Sequence, residues 1–221
     1  MIKYKVSVLC IFLMGLCAFN FFNVGANDFP LLGKVIYIDP GHGGVDPGAI
    51  YKDLYESKLN LEISYQLSKE LEKKGALVYM TRYGDYDLSV KYAVNRKRSD
   101  LSRRANIINK SECDLYLSIH LNADTSPTWS GAQVFYDDIN DENEKIANII
   151  QKELKAHLRT KRKYEETTSM YLHKRVERPG VLIEVGFITN PNERYLLKKT
   201  WYQQKVANVI TGGVLKYFET K

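Results

Sequence analysis

The hydrophobic positions along the chain change their period repeatedly. Short apolar, β-rich runs fall at Lys34–Ile38, Leu77–Thr81, Leu115–Ile119, Gln133–Tyr136 and Val181–Val185. Between them lie segments whose apolar residues recur every three or four positions, as Leu59, Ile63, Leu67 and Leu71 do. The first pattern suits a strand with buried faces, and the second lays an apolar stripe along a helix. The spacing predicts helices over Leu59–Lys73, Leu101–Asn109, Glu142–His157 and Trp201–Phe218, the last packing Val206, Ile210 and Leu215 on a sheet. Strands alternating with helices in this way predict an α/β domain, with a mainly parallel twisted sheet and helices on both faces. No internal repeat and no Ser/Pro-rich linker divides the pattern, so a single domain is expected.

The first residues follow a different rule. Lys3 and Lys5 precede an apolar stretch from Val6 to Phe22, and Val24-Gly25-Ala26 places small residues where a signal peptidase reads them. Ser7, Gly15 and Asn20 interrupt that stretch, which is short for a membrane span of about 20 apolar residues. Residues 1–26 are therefore expected to be a signal peptide or N-terminal anchor, and 27–221 an exported domain whose contact with a membrane is limited to the leader. Neither Leu9-Cys10 nor Leu16-Cys17 puts a small residue before the cysteine, which argues against lipid attachment.

This division changes the bulk properties. The 221 residues are 44% hydrophobic and 26% charged, too apolar for a disordered chain, and three cysteines are too few for a disulfide scaffold. The formal charge is +6. Cleavage after Ala26 leaves 195 residues with 30 basic and 26 acidic side chains, a net charge of +4, and Cys113 as the single cysteine. A domain with one thiol cannot close an internal disulfide, so its stability must come from packing. The densest basic run, Lys91–Arg104, is expected to be a solvated loop entering the helix at Leu101, with Ser99 and Asp100 as caps. No aromatic platform or recognisable module accompanies it, and no nucleic-acid partner is expected.

Four segments carry the candidate chemistry. Asp39-Pro40-Gly41-His42-Gly43-Gly44-Val45-Asp46-Pro47-Gly48-Ala49 follows the first strand, where open α/β sheets bind their ligands. It lacks the Gly-Lys-Ser/Thr ending of a phosphate loop, which leaves His42 as its reactive group. His120 ends the run Asp114–Ile119 and reaches the same rim. A hydrolytic zinc site has three protein ligands and a fourth, open position, and Glu56, just before the helix at Leu59, fits as the third. Glu184 lies inside the apolar strand Val181–Val185, and a desolvated glutamate has the raised pKa suited to proton transfer near neutrality. Each residue also has a structural alternative: a turn histidine for His42, a helix-dipole carboxylate for Glu56, and an ion pair with Arg82 or Arg178 for Glu184. His157, at a helix C-terminus, and His173, which lines the cleft or lies on the surface, stay outside the candidate set.

Read together, Ile38-Asp39-Pro40-Gly41-His42-Gly43-Gly44, Glu56 with Leu59-Asn60-Leu61, Ser118-Ile119-His120-Leu121-Asn122-Ala123 and Ile183-Glu184-Val185-Gly186-Phe187-Ile188-Thr189-Asn190 resemble the zinc-dependent N-acetylmuramoyl-L-alanine amidases of the amidase-3 type. The resemblance runs through nearly the whole of residues 27–221. It implies that His42, Glu56 and His120 hold one zinc ion, that Glu184 is the catalytic acid/base, and that the substrate is peptidoglycan, glycan strands bearing stem peptides. Arg96-Lys97-Arg98-Ser99-Asp100-Leu101 followed by Arg103 or Arg104, with the leader and small size, is similar to the sporulation branch of that family. That implies spore-cortex maturation by muramic-lactam formation, at the cell wall or in the forespore intermembrane space. Two positions depart from the pattern: His173-Lys174, where leucine often precedes the basic residue, and Leu121, where alanine is common. No wall-binding module accompanies the pattern, so targeting falls to the leader, the catalytic domain or another protein, and a separate activator protein that completes or stabilises the site is a further expected partner. The alternatives are another zinc peptidoglycan peptidase and a catalytically weak wall-binding protein that retains the fold.

Overall fold

Alternation along the central strands sorts their side chains between two unlike faces. In β1 (Val35–Pro40), β5 (Leu115–Asn122) and β8 (Gly180–Phe187), the residues Ile36, Ile38, Leu115, Leu117, Ile119, Val181 and Ile183 enter one large aliphatic core. That core is completed by the apolar stripes of α1 (Glu56–Lys73), α3 (Asn143–Leu158) and α5 (Thr200–Glu219). The intervening positions face the other way, where Tyr116 meets Ala105 and Ile108 of α2 (Arg96–Lys110), together with Leu172 and Val176. Two facing layers of helix on a strand-alternating sheet follow from the period-2 rule.

The computed structural model describes residues 29–221, so the proposed leader lies outside the described residues. The strand order is β4-β1-β5-β8-β6-β7, with β4 at Leu77–Met80, β6 at Gln133–Tyr136 and β7 at Glu165–Glu166. β4, β1, β5 and β8 run parallel, whereas β6 is antiparallel to β8. A two-strand ribbon, β2 (Ile50–Tyr51) with β3 (Leu54–Tyr55), links the glycine-rich segment to α1. Among the described residues, no helix is long and apolar enough to cross a membrane.

All five expected strands and four expected helices are present, and the largest displacement is at α2. It begins at Arg96, and the Asn95 side chain accepts from the Arg98 amide at 2.8 Å as its N-cap. Ser99 and Asp100 therefore lie inside the helix, and half of the expected basic loop is helical. Asp100 is buried because Arg104, one turn on, donates to it at 2.9 Å. The short helix α4 (Pro191–Leu197) was not anticipated; Asn190 caps it and Pro191 starts it, the common N-terminal pairing.

Candidate metal centre and active site

The parallel strands deliver side chains to their C-terminal rim. Asp39, Ser118 and Leu182 stand side by side in register, and two residues further along, on the same face, His120 stands opposite Glu184. Beyond that pair the register slips, with Asn122 opposite Phe187, so β8 carries one extra residue beside the site. His42 reaches the rim from the loop after β1, in the left-handed conformation with φ 62°. Glu56 reaches it from the first turn of α1, where a carboxylate is favoured by the helix dipole.

The structure brings His42, Glu56 and His120 together, with one ligand atom of each lying within 4.8 Å of the others. Glu56 Oε1 is 3.2 Å from His42 Nε2 and 3.1 Å from His120 Nδ1. The same oxygen accepts from the Leu121 amide at 3.1 Å and from Asn60 Nδ2 at 3.2 Å, and Oε2 accepts from the Ala49 amide at 2.8 Å. His42 Nδ1 lies 3.0 Å from Asp46 Oδ2, the outer-carboxylate arrangement that fixes a ligating imidazole. Two imidazoles and a carboxylate, with His42 and Glu56 oriented from behind, fit zinc.

The charges support that fit. Burial alone would lower the His42 pKa, but hydrogen bonds to Asp46 and Glu56 push it up to about 9. Burial opposes ionisation of Glu56, yet His120 and His42 hold it well below the usual carboxylate range. Burial pushes His120 down. The bonds to Asp46 and Glu56 favour a proton on His42, and a divalent ion held there would have to displace it.

Glu184 is treated differently. Burial, with the nearby Glu56 charge, pushes its carboxyl up to about 8, and its Oε2 has no hydrogen-bond partner. The ion pair considered for it is not formed. Arg82 is fully buried and donates to the carbonyls of Pro40, Gly41, Ser57 and Gly84, while Arg178 donates to the Asn109 carbonyl.

Several residues that shape the site carried no obvious sequence signal. Arg104, 1% exposed, donates to Asp39 at 2.9 Å and to the carbonyls of Pro40 and His42 at 2.8 and 2.7 Å, pinning the histidine loop from below. Its i,i+4 spacing from Asp100 was the available clue. His173 is buried rather than on the surface. Its Nδ1 is 2.8 Å from the Tyr116 hydroxyl and 3.4 Å from Asp137 Oδ2, and it lines a cavity of about 230 Å³ shared with His42, His120 and Glu184. His157 is peripheral, 3.6 Å from Glu153 in the last turn of α3.

An open-sided pair of imidazoles with a carboxylate, on the rim of a parallel sheet and beside an unpaired glutamate, is the arrangement of a metallohydrolase. The N-acetylmuramoyl-L-alanine amidase family model matches residues 36–216, and the chain belongs to that family. It is 50% identical over 196 residues to the germination-specific N-acetylmuramoyl-L-alanine amidase of Bacillus subtilis, covering 87% of this chain and 83% of that one. It is 35% identical to the amidase LytC of the same organism, over 86% of this chain but 36% of LytC. Among solved structures it is similar to the CwlD amidase of Clostridioides difficile, determined in complex with the GerS lipoprotein. That match has TM-score 0.81 and 36% identity, and covers 86% of this chain and all of that one.

Proposed function

We propose that this chain hydrolyses the amide between the lactyl group of N-acetylmuramic acid and the L-alanine of the stem peptide, with His42, Glu56 and His120 holding one zinc ion. The observation that carries the reading is the convergence of those three ligand atoms beside a glutamate that has no structural partner. Zinc bound by this donor set supplies Lewis acidity, which acidifies water and polarises a carbonyl. Glu184 acts as the general base, accepting a proton from the attacking water at Oε2, and then as the general acid, returning it to the departing amine of L-alanine. Desolvation keeps its proton affinity close to the working pH range. Asp46, Asn60 and the Leu121 amide hold the ligands in place, while Arg82 and Arg104 fix the loop that carries His42.

The likeness to a germination-specific amidase supports spore-cortex peptidoglycan as the substrate and an extracytoplasmic site of action; the basic and apolar pattern of residues 1–26 supports an export signal or anchor. The related amidase determined with a lipoprotein supports a separate activator protein for this one. The test is digestion of purified cortex peptidoglycan by the zinc-loaded chain. Release of peptides with a free L-alanine amino terminus supports the reading. Shortened stem peptides still joined to muramic acid would indicate a peptidase, and binding without any product would indicate a wall-binding protein.

A further inference from the structure

A second cavity opens on the rim of the sheet at the far side of Glu184. Its volume is about 590 Å³, and Arg159, Lys161, Arg162, Trp129 and Glu193 contribute to its walls. Its link to Glu184 runs through Arg162 and the strand beside β8. Gln133 of β6 is the register partner of Glu184, and Arg162 Nε donates to Gln133 Oε1 at 2.5 Å. Register partners project to the same face, so Arg162 extends the line of site residues one strand beyond Glu184.

The charge of this cavity is unbalanced. Among the described residues, none of Arg159, Lys161 and Arg162 has an acidic partner within 4 Å. The acid in the wall, Glu193, is tied to the amides of Gly131 and Phe187 at 2.8 and 2.7 Å rather than to a cation. By contrast, the basic residues lining the cavity on the other side of the metal centre are engaged, Lys97 with Asp46 and Arg104 with Asp39 and Asp100. Arg162 is also held in shape: its guanidinium lies over the rings of Trp129, at 5.5 Å, and Phe187, at 5.1 Å. Stacking of this kind fixes the plane of the fork and leaves its remaining donors free for a carboxylate. Trp129 is half exposed at 52% and forms an apolar wall beside it.

We infer that this cavity is a subsite for a carboxylate of the stem peptide, gripped by Arg162 and flanked by Trp129. The inference rests on the amidase reading, because it supplies the substrate that would carry the carboxylate past Glu184. It makes Arg162 a specificity residue, and the chain a selector for stem peptides whose carboxylates are free rather than amidated.

The test is calorimetric titration of the full chain with a synthetic stem peptide beginning at L-alanine, which has no muramoyl amide left to cleave, and with the same peptide carrying amides in place of its carboxylates. The wild type should bind the free acid about tenfold more tightly than the amide, Arg162→Gln should bind the two alike, and Arg162→Lys should keep part of the preference. Trp129→Ala should weaken both peptides while leaving the preference in place. Equal affinity for the two peptides in the wild type, absence of binding, or an undiminished preference in Arg162→Gln would each overturn the subsite. Because the peptide is not a substrate, this result is independent of the product analysis that decides whether the chain is an amidase.

Discussion

The Asp39 carboxylate and the Arg104 guanidinium meet at 2.9 Å beneath the candidate metal centre, each 1% exposed. Burial alone would raise the Asp39 pKa; Arg104, with a hydrogen bond from Thr81, overrides it and holds the carboxyl at about 2. The sign follows directly. An acid whose pKa falls from 3.8 to about 2 on folding stabilises the fold above pH 3.8 and loses that contribution as the pH drops towards 2. Asp39→Asn should therefore unfold more readily than the wild type at pH 7, by about 2 kcal/mol, with the gap closing below pH 3 in urea titrations. Arg104→Met leaves a buried carboxylate alone and should cost about 3–5 kcal/mol at pH 7 by the same measurement.

Glu184→Gln separates chemistry from metal binding. The amide cannot accept the proton, so turnover on muropeptides should fall by about 10²–10⁴-fold, while zinc content measured by elemental analysis stays at the wild-type level. The variant should also be the more stable protein when metal-free. An acid whose pKa rises from 4.5 to about 8 on folding costs stability once the pH passes 4.5. The melting temperature of the glutamine variant should therefore exceed that of the metal-free wild type at pH 7 and match it at pH 4.

Asn60 stands one helical turn after Glu56 and bonds both to it and to the Gly41 carbonyl, at 3.2 and 3.3 Å. It lies outside the group of three ligand atoms, so its effect runs through the orientation of Glu56. Asn60→Ala should weaken zinc affinity by about 10–100-fold in competition with a chelator, with kcat at saturating zinc changed less than the affinity.

β1, β5 and β8 were legible in the sequence because each strand is largely buried on both faces and reads as a nearly continuous apolar run. His42, His120 and Glu184 were legible because polar groups at the ends or interior of such runs need a reason to be there. Glu56 was legible by its position at a helix start. Arg104 was not: in sequence it belongs to a basic run that reads as solvated, and only the turn of α2 shows that it points inward to Asp39 while Arg96, Lys97, Arg98 and Arg103 face water. His173 was hidden for a related reason. Its partners Tyr116 and Asp137 come from different strands and loops, and no local spacing announces such a meeting. Elements with long periods are written in the chain, whereas contacts across the sheet are products of register.

The close approach of the loop after β1 to the metal centre gives the sharpest test of that register. Gly41 lies against the His120 ring: a Cβ at this position would sit 2.2 Å from His120 Cε1 and 2.3 Å from Nε2, far inside van der Waals contact. The Gly41 amide also donates to the Ile119 carbonyl at 2.9 Å and its carbonyl accepts from Arg82, so the backbone is held from both sides and cannot drift outward. The ring must then give way, carrying Nδ1 off its position 3.1 Å from Glu56. Gly41→Ala should consequently lose zinc at chelator concentrations the wild type withstands, and should lose activity in proportion. Circular dichroism should report an intact fold, because the displaced ring lies at the rim rather than in the aliphatic core. A variant that keeps full zinc occupancy would show that His120 does not hold the ion from this position.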